Sequence, residues 1–502
     1  MDTMREADRE RFGRLLDWSQ GHGAKLHENV EIYWDNVTRF SLRIKPSLKS
    51  SLEQLEPGFT AVTCPVSTTL SYLNALIDGP IMCDFTSNKP TVSSPPAFPP
   101  RFMDSLPPHV IGRFFLIKEY LKGENSFWWP YIATLPQPEQ VNSWTLPAFW
   151  PEDDIQFLEG TNAHVAIGEI QANIKREYKQ ARKVLKEENF PNWKEYSQML
   201  YKWAFSIFTS RSFRPSLILS QSVKDYVSTL LPSACEIDDF SILQPLFDIA
   251  NHSMTATYTW DTTSDPNCCQ LICQDSYRPG DQVFNNYGFK TNSELLLAYG
   301  FIIPETDTLH NDYVHVRKRQ QPEGENASKS DDQPKDFLIS LRSMNDSSSL
   351  AGKIRLTYTG LGSRFASLPA FAHFEPALVD DLASVISSQV PEVKDALEQW
   401  QNEKPTSEDR ELPELIQDLV DRVKGALAGK LQYDYERLKQ AEMEMAGEND
   451  ELPPPCNSNQ QLAIEYRMQC EKVLISALES LMEGEEIQDD GDGERDSSTS
   501  HH

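Results

Sequence analysis

Strand-like and helix-like patterns alternate in large blocks along this chain, and that arrangement limits the folds open to it. From about Leu26 to Cys64, short apolar groups are separated by polar residues and by Pro or Gly turns, which is typical of short strands. Similar strand-like groups return at 270–273 and 282–284, on either side of a turn at 278–280. Most of the chain between these two parts has helical spacing. The patterns therefore predict a strand-rich stretch, a largely helical stretch and then a second stretch that contains short strands.

Helical spacing accounts for much of the remaining chain before residue 304. A short amphipathic helix is predicted over residues 5–20, and apolar residues recur at three- and four-residue steps over 110–120 and 151–213. Residues 294–299 predict a further short helix. Residues 90–108 contain seven prolines and are therefore predicted to be loop.

The last third of the chain is predicted to be mostly helical, after a polar linker at 319–336. Two apolar stripes at helical spacing support this prediction, and Ser458 or Asn459 is the predicted N-cap of the second helix. Residues 483–496 hold eight acids and one arginine, which indicates a disordered tail. The stripes consist of Leu412, Leu415, Leu419, Val423, Leu427 and Leu438, and of Tyr466, Cys470, Val473, Leu474, Ala477, Leu478 and Leu481.

The charge of the chain is strongly negative, and this excludes some classes of function. The 502 residues include 47 Lys and Arg against 75 Asp and Glu, a formal charge of −28, of which −10 falls in 1–310 and −18 in 311–502. A general nucleic-acid binder is not expected, because phosphate contacts need clustered Lys and Arg. The chain has no run of 18 apolar residues and a charged first segment, so neither a transmembrane helix nor a secretory signal peptide is expected.

Cysteine spacing and common motifs exclude further classes. The eight cysteines show no C-x-x-C spacing and no accompanying histidine pair, which predicts reduced thiols in a cytosolic or nuclear protein. The chain contains no G-x-G-x-x-G after a strand, no P-loop, no H-E-x-x-H and no G-x-S-x-G. The commonest dinucleotide, nucleotide, zinc-protease and serine-hydrolase functions are therefore not expected.

Two segments combine polar and aromatic side chains in a way that points to chemistry. The first, 245–253, places an amide, an imidazole and a carboxylate on a short turn after an apolar strand, and the second, 278–301, places aromatic residues after a strand and after a helical turn. Each segment alone is more simply explained as a capping turn or as core aromatics. Both together, about thirty residues apart, are more informative. The residues concerned are Asp248, Asn251 and His252 in the first segment and Tyr287, Tyr299 and Phe301 in the second.

Together these segments resemble the two signature motifs of the SET-domain methyltransferases. The form of the two motifs in this chain is similar to that of the split-SET group, which includes the Rubisco large-subunit lysine methyltransferase and the ribosomal-protein lysine methyltransferases of fungi. Further similarity lies at 62–74, 149–161 and 203–213, so that the resemblance covers most of 24–303, and the helix at 465–481 resembles the end of that group's C-terminal domain. The resemblance implies an α+β fold, in which a β-rich SET fold with a pseudoknot is split by a helical insert and followed by a mainly helical C-terminal domain.

The resemblance also implies a division of the chain into six segments. These are an N-terminal helix (1–23), the first half of the SET domain (24–89), a helical insert (90–240), the second half of the SET domain (241–303), a helical domain like the substrate-binding domain of the group (304–482) and an acidic disordered tail (483–502).

The resemblance implies a role for each candidate site residue. S-adenosylmethionine would bind on one face of the domain, and the target side chain would enter from the other face through a narrow channel. Asn251 would bond the methionyl part of the cofactor through its side chain, and His252 would contact it largely through its backbone. Tyr287 and Tyr299 would be the catalytic tyrosines that line the channel. The other implied contacts are Arg211 and Phe301 for the cofactor, and Ser210 and Asp248 for the channel.

The chemistry of methyl transfer suits these residue types. Methyl transfer to an amine is an in-line displacement at a sulfonium, so the enzyme mainly needs alignment and a dry channel. The lysine amine, with a reference pKa of about 10.4, must first lose its proton. No metal and no covalent enzyme intermediate are expected. Many histone-directed relatives carry a Cys where this chain has Met254, followed by a zinc-binding tail, but Cys268, Cys269 and Cys273 have the wrong spacing for zinc.

The expected function is methylation of a lysine on a non-histone protein, such as a ribosomal protein, with alternatives that stay open. The same fold acting on a histidine is one alternative. A SET-fold binding module without activity is another, because the glycine-rich cofactor loop of many SET domains is degraded at 38–44. The acidic C-terminal part is either an ordinary solvated surface or a feature that attracts a basic protein substrate. Cytoplasm and nucleus are both open as locations.

Overall fold

The structure, a computed structural model, describes residues 4–47, 53–82, 95–140, 144–317, 336–403, 412–447 and 452–482. These residues form two compact units. The first unit comprises the described residues within 1–149 and 167–288, and the second comprises those within 150–166 and from 289 onward. The predicted segment boundaries stay predictions.

Thirteen short strands are present in the described part of the chain. Eleven of them lie in the first unit and form three small sheets, with strand orders β1-β4-β10-β9, β2-β3-β11-β8 and β5-β7-β6, and the last two form a hairpin in the second unit. The strands are β1 (Lys25–Leu26), β2 (Val30–Asp35), β3 (Arg39–Ile44), β4 (Phe59–Pro65), β5 (Leu70–Ser71), β6 (Ser212–Phe213), β7 (Ile242–Leu243), β8 (Asn251–His252), β9 (Tyr258–Asp261), β10 (Cys268–Cys273), β11 (Gln282–Asn285), β12 (Tyr313–Arg317) and β13 (Asp336–Ser340).

Every sheet of the first unit joins strands from the two ends of the helical insert. For example, β4 pairs antiparallel with β10, with Cys64 opposite Cys269, and β3 pairs antiparallel with β11, with Leu42 opposite Val283. The chain leaves the β fold after β5 and returns to it at β6 and β7. The prediction of a β fold interrupted by helices is therefore confirmed.

Sixteen α-helices are present among the described residues. They are α1 (Glu6–Gly21), α2 (Tyr72–Ile77), α3 (Pro100–Ser105), α4 (Pro108–Lys122), α5 (Trp129–Ile132), α6 (Glu152–Ile155), α7 (Asn162–Glu187), α8 (Gln198–Arg211), α9 (Pro215–Ile218), α10 (Gln221–Leu230), α11 (Asn292–Tyr299), α12 (Leu350–Thr359), α13 (Pro376–Ser387), α14 (Pro391–Asn402), α15 (Glu414–Ala446) and α16 (Ser458–Met482).

Helix α4 is the central helix of the first unit. It packs against α2 and α8 and is buried on nearly all sides, with Phe114 and Phe115 fully inside. At Gly112 the backbone of α2 comes so close that a Cβ would lie 3.2 Å from the backbone nitrogen of Tyr72. This close approach ties the helical insert to the segment that follows β5.

One prediction for the insert needs correction, and another is confirmed. Residues 90–108 were expected to be loop, yet α3 begins at Pro100 and α4 at Pro108. Proline is tolerated in the first turn of a helix because its missing N–H has no partner there. Helical patterns were predicted to dominate 151–213, and α6, α7 and α8 confirm this; α8 begins after Ser197, whose Oγ accepts a hydrogen bond from the Leu200 nitrogen at 3.2 Å.

The second unit is built on α15 and α16, which pack along each other. The stripe on α16 is buried as predicted except for half-buried Leu478. On α15, Leu419 and Val423 are buried, but Leu415 is 41% exposed and Leu412 precedes the helix, so the stripe was wrong at its start.

The cap of α16 and the segments before and after the helices of the second unit differ from the predictions or lie outside the described residues. The N-cap of α16 is Asn457, whose Oδ1 accepts hydrogen bonds from Asn459 and Gln460 nitrogens at 2.9 and 3.0 Å, so the predicted caps were wrong by one or two residues. The hairpin of β12 and β13 was not expected in a mostly helical region. The predicted linker at 319–336, except for its last residue, and the acidic tail lie outside the described residues.

Candidate functional site

Asn251 and His252 form β8, a two-residue strand that pairs in parallel with β11. Asn251 lies opposite Phe284, and His252 lies opposite Asn285. Tyr287 follows β11 by two residues, so the backbone pairing brings the two sequence motifs side by side. The structure therefore joins the residues that the sequence indicated only as two separate segments.

His252 and Tyr287 hold each other in place. The backbone nitrogen of Tyr287 donates a hydrogen bond to His252 Nδ1 at 3.0 Å, and the two rings stack with centroids 5.1 Å apart at 19°. The Tyr287 hydroxyl donates to the Ala250 carbonyl at 3.0 Å. Because Nδ1 accepts, the neutral imidazole carries its proton on Nε2. The phenol is thus held at its ring and at its hydroxyl.

The side chain of Asn251 is held by the hairpin of β2 and β3. Its Nδ2 donates to Ser41 Oγ at 2.6 Å and to the Thr38 carbonyl at 3.3 Å. Ser41 is fully buried, and its hydroxyl also lies 2.9 Å from the Thr38 hydroxyl. The stretch 38–44, which was expected to be the degraded cofactor loop, therefore lies directly against the first motif.

Asp248 is the buried charged group of this site. Its Oδ2 accepts a hydrogen bond from the Tyr131 hydroxyl at 2.8 Å and one from Arg211 Nη1 at 3.4 Å, and the same Nη1 lies 3.2 Å from the Asp248 carbonyl oxygen. Asp248 Oδ1 is buried without a hydrogen-bond partner among the residues that the structure describes. Burial raises the pKa of Asp248, and the charge of Arg211 opposes that effect. If either Tyr131 or Arg211 were removed, the desolvation cost of burying the Asp248 carboxyl would no longer be fully compensated.

Tyr131 was missed by the sequence analysis. It lies on α5, 117 residues before its partner Asp248, and it is buried. Burial, together with the charge of Asp248, raises the pKa of Tyr131, so the phenol stays a neutral donor. No spacing rule connects two residues so far apart, and only the number of aromatic residues around Trp128 could have drawn attention to this part of the insert.

Ser210 is the expected channel residue that the structure supports least. It lies in the last turn of α8, and its Oγ donates to the Ser206 carbonyl at 2.8 Å. This bond is a common way for a helical serine to satisfy its hydroxyl. Its role in the channel stays a prediction.

Tyr299 and Phe301 lie in the second unit, at the end of α11. Gly300, with a φ of +76°, ends the helix between them, and the two rings lie 6.2 Å apart at 57°. Burial raises the pKa of Tyr299 to about 12, so its hydroxyl is neutral at physiological pH. The assignment of both residues to the channel and the cofactor stays a prediction.

The described cysteines and acids form no cluster that suggests a metal. Within the described ranges, no group of three or more His, Cys, Asp or Glu residues has the geometry to hold a metal ion. Cys268, Cys269 and Cys273 lie on β10, and burial raises the pKa of each to about 12. No helix in the described part of the chain is long and apolar enough to span a membrane.

Comparison with known sequences finds relatives over part of the chain. No protein-family model matches it. Over 296 residues, 58% of this chain and 46% of the relative, it is 31% identical to the ribosomal lysine N-methyltransferase set10 of Schizosaccharomyces pombe. Over 181 residues, 35% of this chain and 27% of the relative, it is 28% identical to the actin-histidine N-methyltransferase of Xenopus tropicalis. The chain thus spans less than half the length of these curated relatives.

Comparison with solved structures extends over nearly the whole chain. The structure of Rubisco LSMT bound to AdoMet matches with a TM-score of 0.55 and 17% identity, over 95% of this chain and 92% of that chain. The SET domain of LSMT bound to lysine and AdoHcy matches with a TM-score of 0.56 and 16% identity. The predicted fold class is therefore confirmed by these structures, and the resemblance stated on the two motifs is confirmed together with the similarity to set10.

Proposed function

We propose that this protein is an S-adenosylmethionine-dependent protein-lysine N-methyltransferase that acts on a non-histone protein. The observation that supports the proposal most directly is the parallel pairing of β8 with β11, which sets Asn251 and His252 beside Tyr287. An amide, an imidazole and a fixed phenol on adjoining turns suit a site that aligns two reactants. The similarity to set10, which is named as a ribosomal lysine methyltransferase, points in the same direction.

The residues of the first unit fit the methionyl part of this cofactor. Its carboxylate needs positive charge, and Arg211, beside Asp248, is the cation at this site; burial, and then the nearby charge of Arg211, lower the pKa of Arg39. Arg211 remains partly exposed, with 29% of its side chain accessible, and Asn251 adds an amide. When bound, the cofactor would supply an electrophilic methyl group on a sulfonium.

Tyr287 is the residue that we assign to the target amine. Its hydroxyl donates its hydrogen to the Ala250 carbonyl, and a phenol oxygen can also accept a hydrogen bond, here from an N–H of the incoming amine. A hydrogen bond from the amine to the Tyr287 oxygen fixes the orientation of the amine and therefore the direction of its lone pair. The amine would first lose its proton to water; its nitrogen would then form a bond to the methyl carbon as the sulfur–carbon bond breaks, which would leave a neutral thioether.

We propose a basic protein, such as a ribosomal protein, as the substrate. The C-terminal part, 311–502, carries −18 of the net charge of −28 and so attracts a Lys-rich partner at long range. Such a substrate is compatible with either the cytoplasm or the nucleus.

Histidine is the second candidate target. The similarity to an actin-histidine N-methyltransferase at 28% identity is the specific observation that favours it. An imidazole already has a lone pair at neutral pH and needs no loss of a proton before attack. The mass-spectrometric position of the methyl group separates these two functions.

The test is transfer of a labelled methyl group from S-adenosylmethionine to fractionated extract of cells that lack the gene. We expect label in one or a few basic protein bands, on lysine side chains after proteolysis and mass spectrometry. Label on histidine would favour the second candidate. If no band is labelled although calorimetry shows cofactor binding, the protein is a binding module and the proposal is wrong.

A further inference from the structure

The segment that carries Tyr299 and Phe301 begins and ends at fixed turns. At the start of α11, Thr291 Oγ1 accepts from the Glu294 nitrogen at 3.3 Å, and Glu294 Oε2 accepts from the Thr291 nitrogen at 2.8 Å. At its end, the Gly300 nitrogen bonds to two carbonyls of the last turn at 3.0 Å, and the positive φ of Gly300 reverses the chain. The chain after Phe301 therefore returns toward the start of the helix.

Asn292, at the start of α11, binds the returning chain at Ile303. Its Oδ1 accepts from the Ile303 nitrogen at 2.8 Å, and its Nδ2 donates to the Ile303 carbonyl at 2.9 Å. Nδ2 also lies 2.9 Å from Asp312 Oδ1 and 2.9 Å from Gln469 Oε1. One side of the Asn292 amide faces a donor and the other side faces three acceptors. The hydrogen bonds therefore assign which side-chain atom is the oxygen and which is the nitrogen. Asn292 is only 1% exposed, so water does not replace these bonds.

We propose that Asn292 is a positioning residue that sets Tyr299 and Phe301 through its two hydrogen bonds to Ile303. The inference rests on the proposed function, because that function gives the two aromatic rings their roles. Ile303 follows Phe301 by two residues, so a displacement of Ile303 is passed to both rings. Without the amide, both backbone groups of a half-buried residue lose their partner, and the segment between Gly300 and Ile303 is free to open locally.

The neighbours of Asn292 supply a matched control. Gln469 on α16 accepts from the same Nδ2, and among the described residues its side chain makes no hydrogen bond to 299–303. Gln469→Ala removes one partner of Asn292 and leaves the bonds to Ile303 and Asp312 in place. If Asn292 acts by holding Ile303, this change is silent.

The experiment compares Asn292→Ala with Gln469→Ala in the full chain by hydrogen exchange and by steady-state kinetics. We expect Asn292→Ala to speed exchange at the amides of 301–303 and to lower kcat by about 10- to 100-fold, since small misplacements of reacting groups cost that much. The substrate KM should change little. Gln469→Ala should match the wild type in both measurements. Unchanged kcat in folded Asn292→Ala, or an equal loss in Gln469→Ala, would overturn the inference.

A second set of variants, in which Asn and Asp are exchanged between positions 292 and 312, keeps the inference testable if Asn292→Ala does not fold. Asn292→Asp retains the acceptor for the Ile303 nitrogen but places an oxygen opposite the Ile303 carbonyl and Asp312. Asn292→Asp with Asp312→Asn restores a donor between positions 292 and 312. We expect partial recovery of kcat in the double variant over Asn292→Asp, and no recovery would contradict the inference.

The design also separates this inference from the proposed function. A wild-type protein that transfers no methyl group contradicts the proposed function. A wild-type protein that does transfer it, with a Tyr287→Phe variant that does not, supports the function, and the Asn292 variants then decide the inference alone.

Discussion

Tyr287 is fixed at three points: its backbone nitrogen at His252 Nδ1, its ring on the imidazole and its hydroxyl at the Ala250 carbonyl. Two of these contacts do not involve the hydroxyl. A change confined to the hydroxyl therefore separates the chemical role of this residue from its structural role.

Tyr287→Phe should keep cofactor affinity and lose most methyl transfer. The ring and backbone contacts persist, while the acceptor for the target amine is gone, and a loss of about 10²- to 10³-fold in kcat is expected from such a removal. Calorimetry with S-adenosylmethionine and single-turnover transfer measure the two effects. Tyr258→Phe is the control, because its hydroxyl also donates to a nearby carbonyl, that of Asn286 at 3.2 Å, and it has no assigned role. Equal activities of the two variants would show that the channel is assigned wrongly.

Asn251→Ala should weaken cofactor binding about tenfold, or by about 1.4 kcal/mol. The variant loses the amide assigned to the methionyl part. Ser41→Ala should weaken binding less, because Ser41 acts by holding Asn251 Nδ2 at 2.6 Å. In the double variant the two losses should not add, since residues in one network are coupled. Fully additive losses in calorimetric affinity would mean that Ser41 contacts the cofactor independently.

Asp312→Asn should change how stability depends on pH. Burial raises the pKa of Asp312 to about 6 from 3.8, and Glu305 adds to this while Asn292, Lys472 and Arg342 oppose it. The folded protein then holds this proton more tightly than the unfolded chain, so stability falls as pH rises from about 4 to about 6. The full cost, about 3 kcal/mol, is present above pH 6.

The measurement for Asp312 is urea unfolding of wild type and Asp312→Asn at pH 4, 5, 6 and 8. The wild type should lose stability relative to the variant as pH rises through this range, and the difference should be constant above it. A difference that is the same at pH 4 and pH 8 would contradict the raised pKa of this carboxyl.

At the scale of elements, Gly160 is the described glycine at which an added Cβ would come closest to a backbone atom of another element. The residue has a φ of +86°, and a Cβ there would lie 2.9 Å from the Arg437 carbonyl of α15. The loop after α6 can therefore pack on α15 only if residue 160 has no side chain.

Gly160→Ala should lower the free energy of unfolding by about 2–4 kcal/mol, from overpacking together with the unfavourable φ. Gly425→Ala is the control, because Gly425 lies within α15 with nothing within 4 Å of its Cβ position. Alanine in that helix should raise stability by about 1 kcal/mol. Urea unfolding of both variants tests this, and a neutral Gly160→Ala would mean that the loop shifts without cost.

Local patterns predicted the elements of this chain better than its long-range contacts. The strands on both sides of the insert and the stripe on α16 follow from periodicity, which depends only on neighbouring residues. The starts of α3 and α4 were missed because proline was read only as a breaker. The hairpin of β12 and β13 was missed because the helical pattern around it was extended through it.

The candidate site shows the same limit. The motifs at 245–253 and 278–301 identified Asn251, His252 and Tyr287 by resemblance, and the structure shows that they meet. Neither periodicity nor spacing could indicate the bond from Tyr131 to Asp248, or the one from Ser41 to Asn251, since the partners are more than a hundred residues apart. Such contacts depend on how the sheets close.

At the scale of the whole molecule, the negative charge and the site are expected to serve one function. The site lies in a chain with a net charge of −28, most of it in the C-terminal part, and a basic protein substrate would be attracted to that part. In the proposed function, the charge would raise the encounter rate, while Asn251 and Tyr287 would align the two reactants.

The most direct test compares methylated peptides from four kinds of cell. These are cells with the gene, cells without it, and deleted cells in which either the wild-type or the Tyr287→Phe protein is expressed again. The proposed function predicts that methyl-lysine peptides from one or a few basic proteins are present in cells with the gene and absent from cells without it. The wild-type protein restores them, and Tyr287→Phe does not. Peptides that do not differ between cells with and without the gene, or that return with Tyr287→Phe, would contradict it.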